Sequence, residues 1–129
     1  DGGDDENLPR RHAISLIGQG ALAVELHTNA SGNPAARGVE SISLPPLRQF
    51  CRRLSAAVAN VLDTRVRGDR GWIDQSQSAR GRLGYVNAGG VILETCFISN
   101  PTERERYLAD PWAVAQAVAD TIHDEVTHD

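Results

Sequence analysis

The stretch Val91-Ile-Leu-Glu-Thr-Cys-Phe-Ile-Ser-Asn-Pro101 sets the class of fold. Its opening run, Val91 to Leu93, is apolar and reads as a strand that ends in Glu94. Its close is a helix start, with Asn100 as cap, Pro101 in the first helical position and Glu103 three residues after the cap. A strand that passes within a few residues into a capped helix is what an α/β domain is built from.

Outward from this stretch the alternation continues. Ala21-Leu-Ala-Val-Glu-Leu-His27 is a second apolar run, with Glu25 and His27 at alternate positions and therefore on the same side of a sheet. A loop from Thr28 to Arg37 precedes a short strand at Val39 to Ile42, and Pro45 and Pro46 introduce a helix. That helix carries Leu47, Phe50, Cys51, Leu54, Val58 and Val61 on one face, with Arg48, Arg52 and Arg53 off it. Residues Asp63 to Arg82 keep no period and form the longest irregular stretch, a loop able to line a groove. Leu83 to Val86 reads as another strand or strand end, joined to Val91 by an Asn87–Gly90 turn.

At the two ends, a helix is predicted from near Asn7, with Pro9 in its first turn, Ala13, Ile14 and Ile17 as its stripe, and Gly18 to Gly20 as its stop. A final helix starts at Asp110-Pro111 and shows Val114, Val118, Ile122 and Val126 on one face. The expected fold is a single α/β domain with a mainly parallel or mixed central sheet covered by helices.

Bulk properties narrow the function. One hundred and twenty-nine residues suffice for one core, and a net charge of -4 offers no broad footprint for nucleic acid or an anionic membrane. No apolar run is long enough to cross a bilayer. All 13 basic residues are Arg, a bias of composition that also suits bidentate grip on carboxylates. The two cysteines, Cys51 and Cys96, read as buried thiols. Methionine is absent, so Asp1 is not an initiator and further sequence is expected before it.

In open α/β sheets chemistry gathers at the carboxyl ends of strands, and here two strands end in ionisable groups, Glu25 and His27 on one and Glu94 on the other. A carboxylate at the end of a Val-Ile-Leu run needs a cation, a metal or a proton to carry, and an Arg pair or a loop cap would satisfy it as well as a catalytic role. A lone His at a strand end is more often a hydrogen-bonded structural residue than a ligand, although imidazole is a preferred zinc donor. His12, His123 and His128 fall on helices and read as solvated. Arg80 and Arg82 are candidate contacts for a substrate's carboxylates and amides, but read rather as exposed loop residues.

The wording around these residues adds a resemblance. Val24-Glu-Leu-His-Thr-Asn-Ala30 resembles the strand that supplies a zinc histidine in the zinc-dependent N-acetylmuramoyl-L-alanine amidase family, and Val91 to Pro101 resembles that family's glutamate signature. Arg37-Gly-Val-Glu40 is similar to the family's Gly-Val stretch, and Asp5 to Ile14 to the stretch before the histidine strand, with Arg11 at its arginine. The resemblance implies an amidase/phosphorylase-like fold and identifies residues 1–129 as the C-terminal part of an amidase catalytic domain.

It also implies hydrolysis of the amide between N-acetylmuramic acid and L-alanine in peptidoglycan. Zn2+ would be ligated by His27, and Glu94 would be the general base. The family's Gly-His-Gly-Gly signature is not found, so the remaining zinc ligands are expected upstream of Asp1. Glu25 lies about 6.6 Å back along the strand from His27, which suits a partner of the histidine or a substrate contact better than a ligand. Asn29 is a second candidate substrate contact. Cys96 stands where the family has a small residue, and packing is its expected role.

The implied place of action is the bacterial envelope, periplasm or exterior, or the wall as attacked by a phage enzyme. A non-catalytic peptidoglycan-binding or regulatory module that keeps the fold without a complete zinc site is the alternative. An esterase-like hydrolase using Cys96, Ser41 or Ser43 ranks last, since no Gly-x-Ser-x-Gly elbow exists.

Overall fold

In the computed structural model, which describes residues 22–78 and 83–127, four strands form one sheet: β1 (Val24–Asn29), β2 (Glu40–Ser43), β3 (Trp72–Asp74) and β4 (Val91–Phe97). Their order is β1-β4-β2-β3. β4 runs parallel to β1 and antiparallel to β2, and β2 runs parallel to β3, so the sheet is mixed. All seven residues of β4 are buried, as a central strand between covered faces requires.

One face is closed by α1 (Arg48–Leu62) and α4 (Pro111–Thr127), with α3 (Pro101–Ala109) beside them. Phe50, Cys51, Leu54, Val58 and Leu62 of α1 pack with Val114 and Val118 of α4 against Val91, Leu93 and Cys96. The predicted apolar face of α1 therefore holds, except that Leu62 is buried at its last turn and Val61 is exposed. On α4, Val126 is likewise exposed and Ile122 only partly buried.

The other face carries a smaller cluster, Ile42 and Ile92 against Tyr85 and Val86 of α2 (Gly84–Asn87). Here the sequence reading is corrected. Leu83 to Val86 is not a strand, because Gly84–Asn87 closes a helical turn that drives Tyr85 and Val86 down onto the sheet. A side chain at Gly90 would strike the Tyr85 ring at 2.4 Å, so the turn after α2 needs glycine for close approach. The helix read from Asn7 lies outside the described residues.

A second correction concerns the irregular stretch. Within Asp63 to Arg82 the chain makes an isolated bridge between Val39 and Val66, the three-residue strand β3, and a 3-10 turn at Gln75–Gln77. β3 is too short to show a period, yet it extends the sheet beyond β2. Its Trp72 indole donates to Ser43 Oγ at 3.0 Å, which ties it to α1's side of the sheet.

Candidate functional site

β4 places the site. Glu94 is the ladder partner of His27 on β1 and of Glu40 on β2, so three ionisable residues form one row across three strands. Register partners project to the same face, at a strand spacing of about 4.8 Å. Glu94 is 3% exposed.

Glu25 and His27 share that face, as their alternation predicts, and His27 Nε2 meets Glu25 Oε1 at 2.6 Å. Glu25 thus acts as the partner of the His27 ring. Its negative charge also reaches Tyr85, whose phenol is raised above its ordinary range first by burial and then by Glu25.

Beyond His27 the register of β1 and β4 slips by one, so that Asn29 pairs with Phe97. This bulge has a definite effect on the site. One extra residue on β4 turns Cys96 into the core and brings Phe97 to the groove side with Glu94. Cys96 is fully buried and its thiol is pushed up by desolvation, so packing is its role here. Thr95 locks the bulge by donating its hydroxyl to the His27 carbonyl at 3.1 Å.

A groove of about 370 Å³ opens over this row, with Glu94, Glu40, Arg67, Phe97 and Asn29 among its walls. Ile73, Gln77 and Ser78 of the stretch read as irregular line its far side, as that reading allowed. Gln75 steadies this wall, accepting the Leu83 N–H at 3.0 Å and donating to Asn87 Oδ1. Asn29 Oδ1 accepts the Ala30 N–H at 2.9 Å, which leaves its amide NH2 as the end with donors to offer.

Arg67, Glu40 and Glu103 escaped the sequence reading as site residues. Arg67 Nε donates to Glu40 Oε1 at 2.9 Å, and its guanidinium lies over the Phe97 ring at 4.8 Å. Glu103 is 1% exposed and accepts the N–H groups of Phe97 at 2.8 Å and Gly38 at 2.7 Å and the Thr64 hydroxyl at 2.5 Å. Its spacing from Asn100 marked a capping residue. The Asn100 side chain does cap the Glu103 N–H at 3.0 Å, but the Glu103 carboxylate is spent on Gly38, Thr64 and Phe97.

Ser41 and Ser43 are buried on the α1 side and engaged in structural hydrogen bonds, Ser41 with Ser55 at 2.7 Å and Ser43 with the Leu44 carbonyl at 2.8 Å. Neither is placed as a nucleophile. His123 is exposed on α4, while His12, His128, Arg80 and Arg82 lie outside the described residues.

A catalytic zinc takes about three protein ligands and a water. His27 is a donor of the right type on the site face, but among the described residues no three His, Cys, Asp or Glu side chains form a group able to hold a metal. The described residues fit one corner of a zinc site and do not complete it.

Comparison with known proteins places this arrangement. The family model for N-acetylmuramoyl-L-alanine amidase matches residues 1–124. The chain belongs to the N-acetylmuramoyl-L-alanine amidase family. Among solved structures, a candidate N-acetylmuramoyl-L-alanine amidase from Neisseria meningitidis is 36% identical over 92% of this chain and 65% of that one, with a TM-score of 0.83. The N-acetylmuramoyl-L-alanine amidase of Clostridium difficile 630 shares the fold at 13% identity, over 91% of this chain and 64% of that one, with a TM-score of 0.70. The catalytic domain of the CD27L endolysin, which targets Clostridia difficile, shares it at 21% identity, over 92% and 63%, with a TM-score of 0.61. The chain spans about two thirds of the length of these amidase-fold structures. No curated protein matches it.

Proposed function

We propose that the complete gene product hydrolyses the amide between N-acetylmuramic acid and L-alanine in peptidoglycan, acting at the cell wall. The observation that carries this reading is Glu94, buried at the floor of a groove and in register with His27, in a chain of the amidase family.

Zn2+, held by His27 with donors outside the described residues, would acidify the attacking water and polarise the amide carbonyl. Glu94 would serve as the general base, taking a proton from the attacking water as its oxygen adds to the carbonyl carbon. The same carboxyl returns the proton to the L-alanine nitrogen as the carbon–nitrogen bond breaks. Burial suits Glu94 to this shuttle, because bulk water is kept from competing for the proton. Glu25 fixes the rotation of the His27 ring through the 2.6 Å contact. Asn29 offers its amide NH2 to the stem's backbone carbonyls.

The test is release of peptide stems with new L-alanine amino termini from purified peptidoglycan. We expect loss of release on chelation, recovery with zinc, and a fall of at least about 100-fold for Glu94→Gln with folding unchanged. Peptidoglycan binding without release, surviving both chelator and Glu94→Gln, would instead identify a non-catalytic wall-binding module.

A further inference from the structure

Arg67 is the only Lys or Arg that lines the groove among the described residues, and three neighbours hold it in one orientation. Gly38, at φ +121°, makes room for its stem: a side chain there would meet Arg67 Cγ at 2.7 Å. Glu40 takes Nε at 2.9 Å, and Phe97 supports one face of the guanidinium at 4.8 Å. Backbone pairing fixes the segment itself, since the Arg67 N–H donates to the Val39 carbonyl at 2.8 Å.

Guanidinium has five N–H donors. Glu40 uses one, the Arg37 carbonyl is met by Nη1 only at 3.4 Å, and Nη2 has no acceptor among the described residues. A planar guanidinium donor edge facing a groove is suited to bidentate binding of an incoming carboxylate.

We propose that Arg67 sets substrate specificity by binding a free carboxylate on the second residue of the peptide stem, so that the groove favours acidic stems over those amidated at that residue. The proposal rests on the amidase reading. Glu40, which holds Arg67, is the ladder partner of Glu94 on the neighbouring strand, and all three residues line the same groove. A stem whose first amide sits at Glu94 and that runs on along this groove meets Arg67 as the cation lining it among the described residues.

The test uses the complete gene product carrying Glu94→Gln, to prevent turnover, and two soluble ligands: muramoyl-L-alanyl-D-glutamate with its γ-carboxyl capped as the methylamide and its α-carboxyl free, and the same compound with the α-carboxyl amidated. By calorimetry the acid should bind about tenfold or more tightly than the amide. Adding Arg67→Gln should bring the two within about twofold, and Arg67→Lys, which keeps charge but loses the fork, should cut the preference at least about threefold. Equal binding of the two ligands by the parent overturns the proposal. So does an undiminished preference in Arg67→Lys, which decides the matter if Arg67→Gln does not fold. Release of L-alanine termini by the unsubstituted protein judges the amidase reading separately. Release without ligand preference removes only the role of Arg67, and preference without release removes only the amidase reading.

Discussion

At the residue scale, Glu103 shows how a single side chain makes the groove possible. Two oxygens of one buried carboxylate satisfy donors from three separate segments: Gly38 before β2, Thr64 after α1, and Phe97 at the end of β4. A buried carboxylate is tolerated because charge-assisted bonds replace its hydration. Glu103→Ala would leave those donors buried and unmatched, and should cost about 3–5 kcal/mol in urea unfolding. Glu103→Gln keeps the shape with one acceptor fewer and should cost less than the alanine change. A loss under about 1 kcal/mol for Glu103→Ala would show that water or rearrangement replaces the network. The roles of Glu94 and His27 as candidates were legible because each ends an apolar run and each sits in family wording. Arg67, Glu40 and Glu103 were not legible, because ion pairs and hydrogen bonds between residues 27 to 65 positions apart leave no local pattern.

At the scale of elements, strands with long apolar runs and helices with explicit caps were readable, and short or shape-dependent elements were not. The Asn100-Pro101 start of α3 and the Pro111 start of α4 fall where their caps put them. β3 has three residues, and α2 has four whose valine and tyrosine suit a strand equally well. Only their packing against Ile92 and Ile42 decides for the helix. The bulge of β4 was also invisible, since it depends on the register with β1, which sequence spacing does not encode. Two element-level changes test this account. Asn100→Ala removes the cap on Glu103 N–H and should destabilise by about 1 kcal/mol. Gly38→Ala puts a side chain at φ +121° into Arg67 Cγ and should cost about 1–3 kcal/mol. Because it also displaces Arg67, Gly38→Ala should weaken the preference for acidic stems, whereas Asn100→Ala should leave that preference intact.

At the scale of the molecule, the two faces of the sheet divide labour, and the titratable groups buried with them make stability depend on alkaline pH. The α1 and α4 face is the packed core and holds Cys51 and Cys96, while the opposite face carries the row of His27, Glu94 and Glu40 with Tyr85 beside it. Burial pushes the Cys51 thiol from 9.0 to about 11, partly offset by a hydrogen bond with Ser43. Desolvation raises Cys96 and Tyr85 in the same direction. Each of these groups keeps its proton in the folded state at a pH where the unfolded chain has begun to release it. Below pH 9 the unfolded thiol is still protonated and the full stability is present. As the pH rises from 9 towards 11 the unfolded state gains by deprotonating and the folded state does not, so stability falls. A shift of this size corresponds to about 2–3 kcal/mol for Cys51 by the upper end of the window. The midpoint of urea unfolding should therefore drop between pH 9 and 11, and Cys51→Ala, less stable at neutral pH for its lost packing, should show a visibly shallower decline. Parallel declines for the two proteins would mean that the buried thiol is not the source of the alkaline sensitivity.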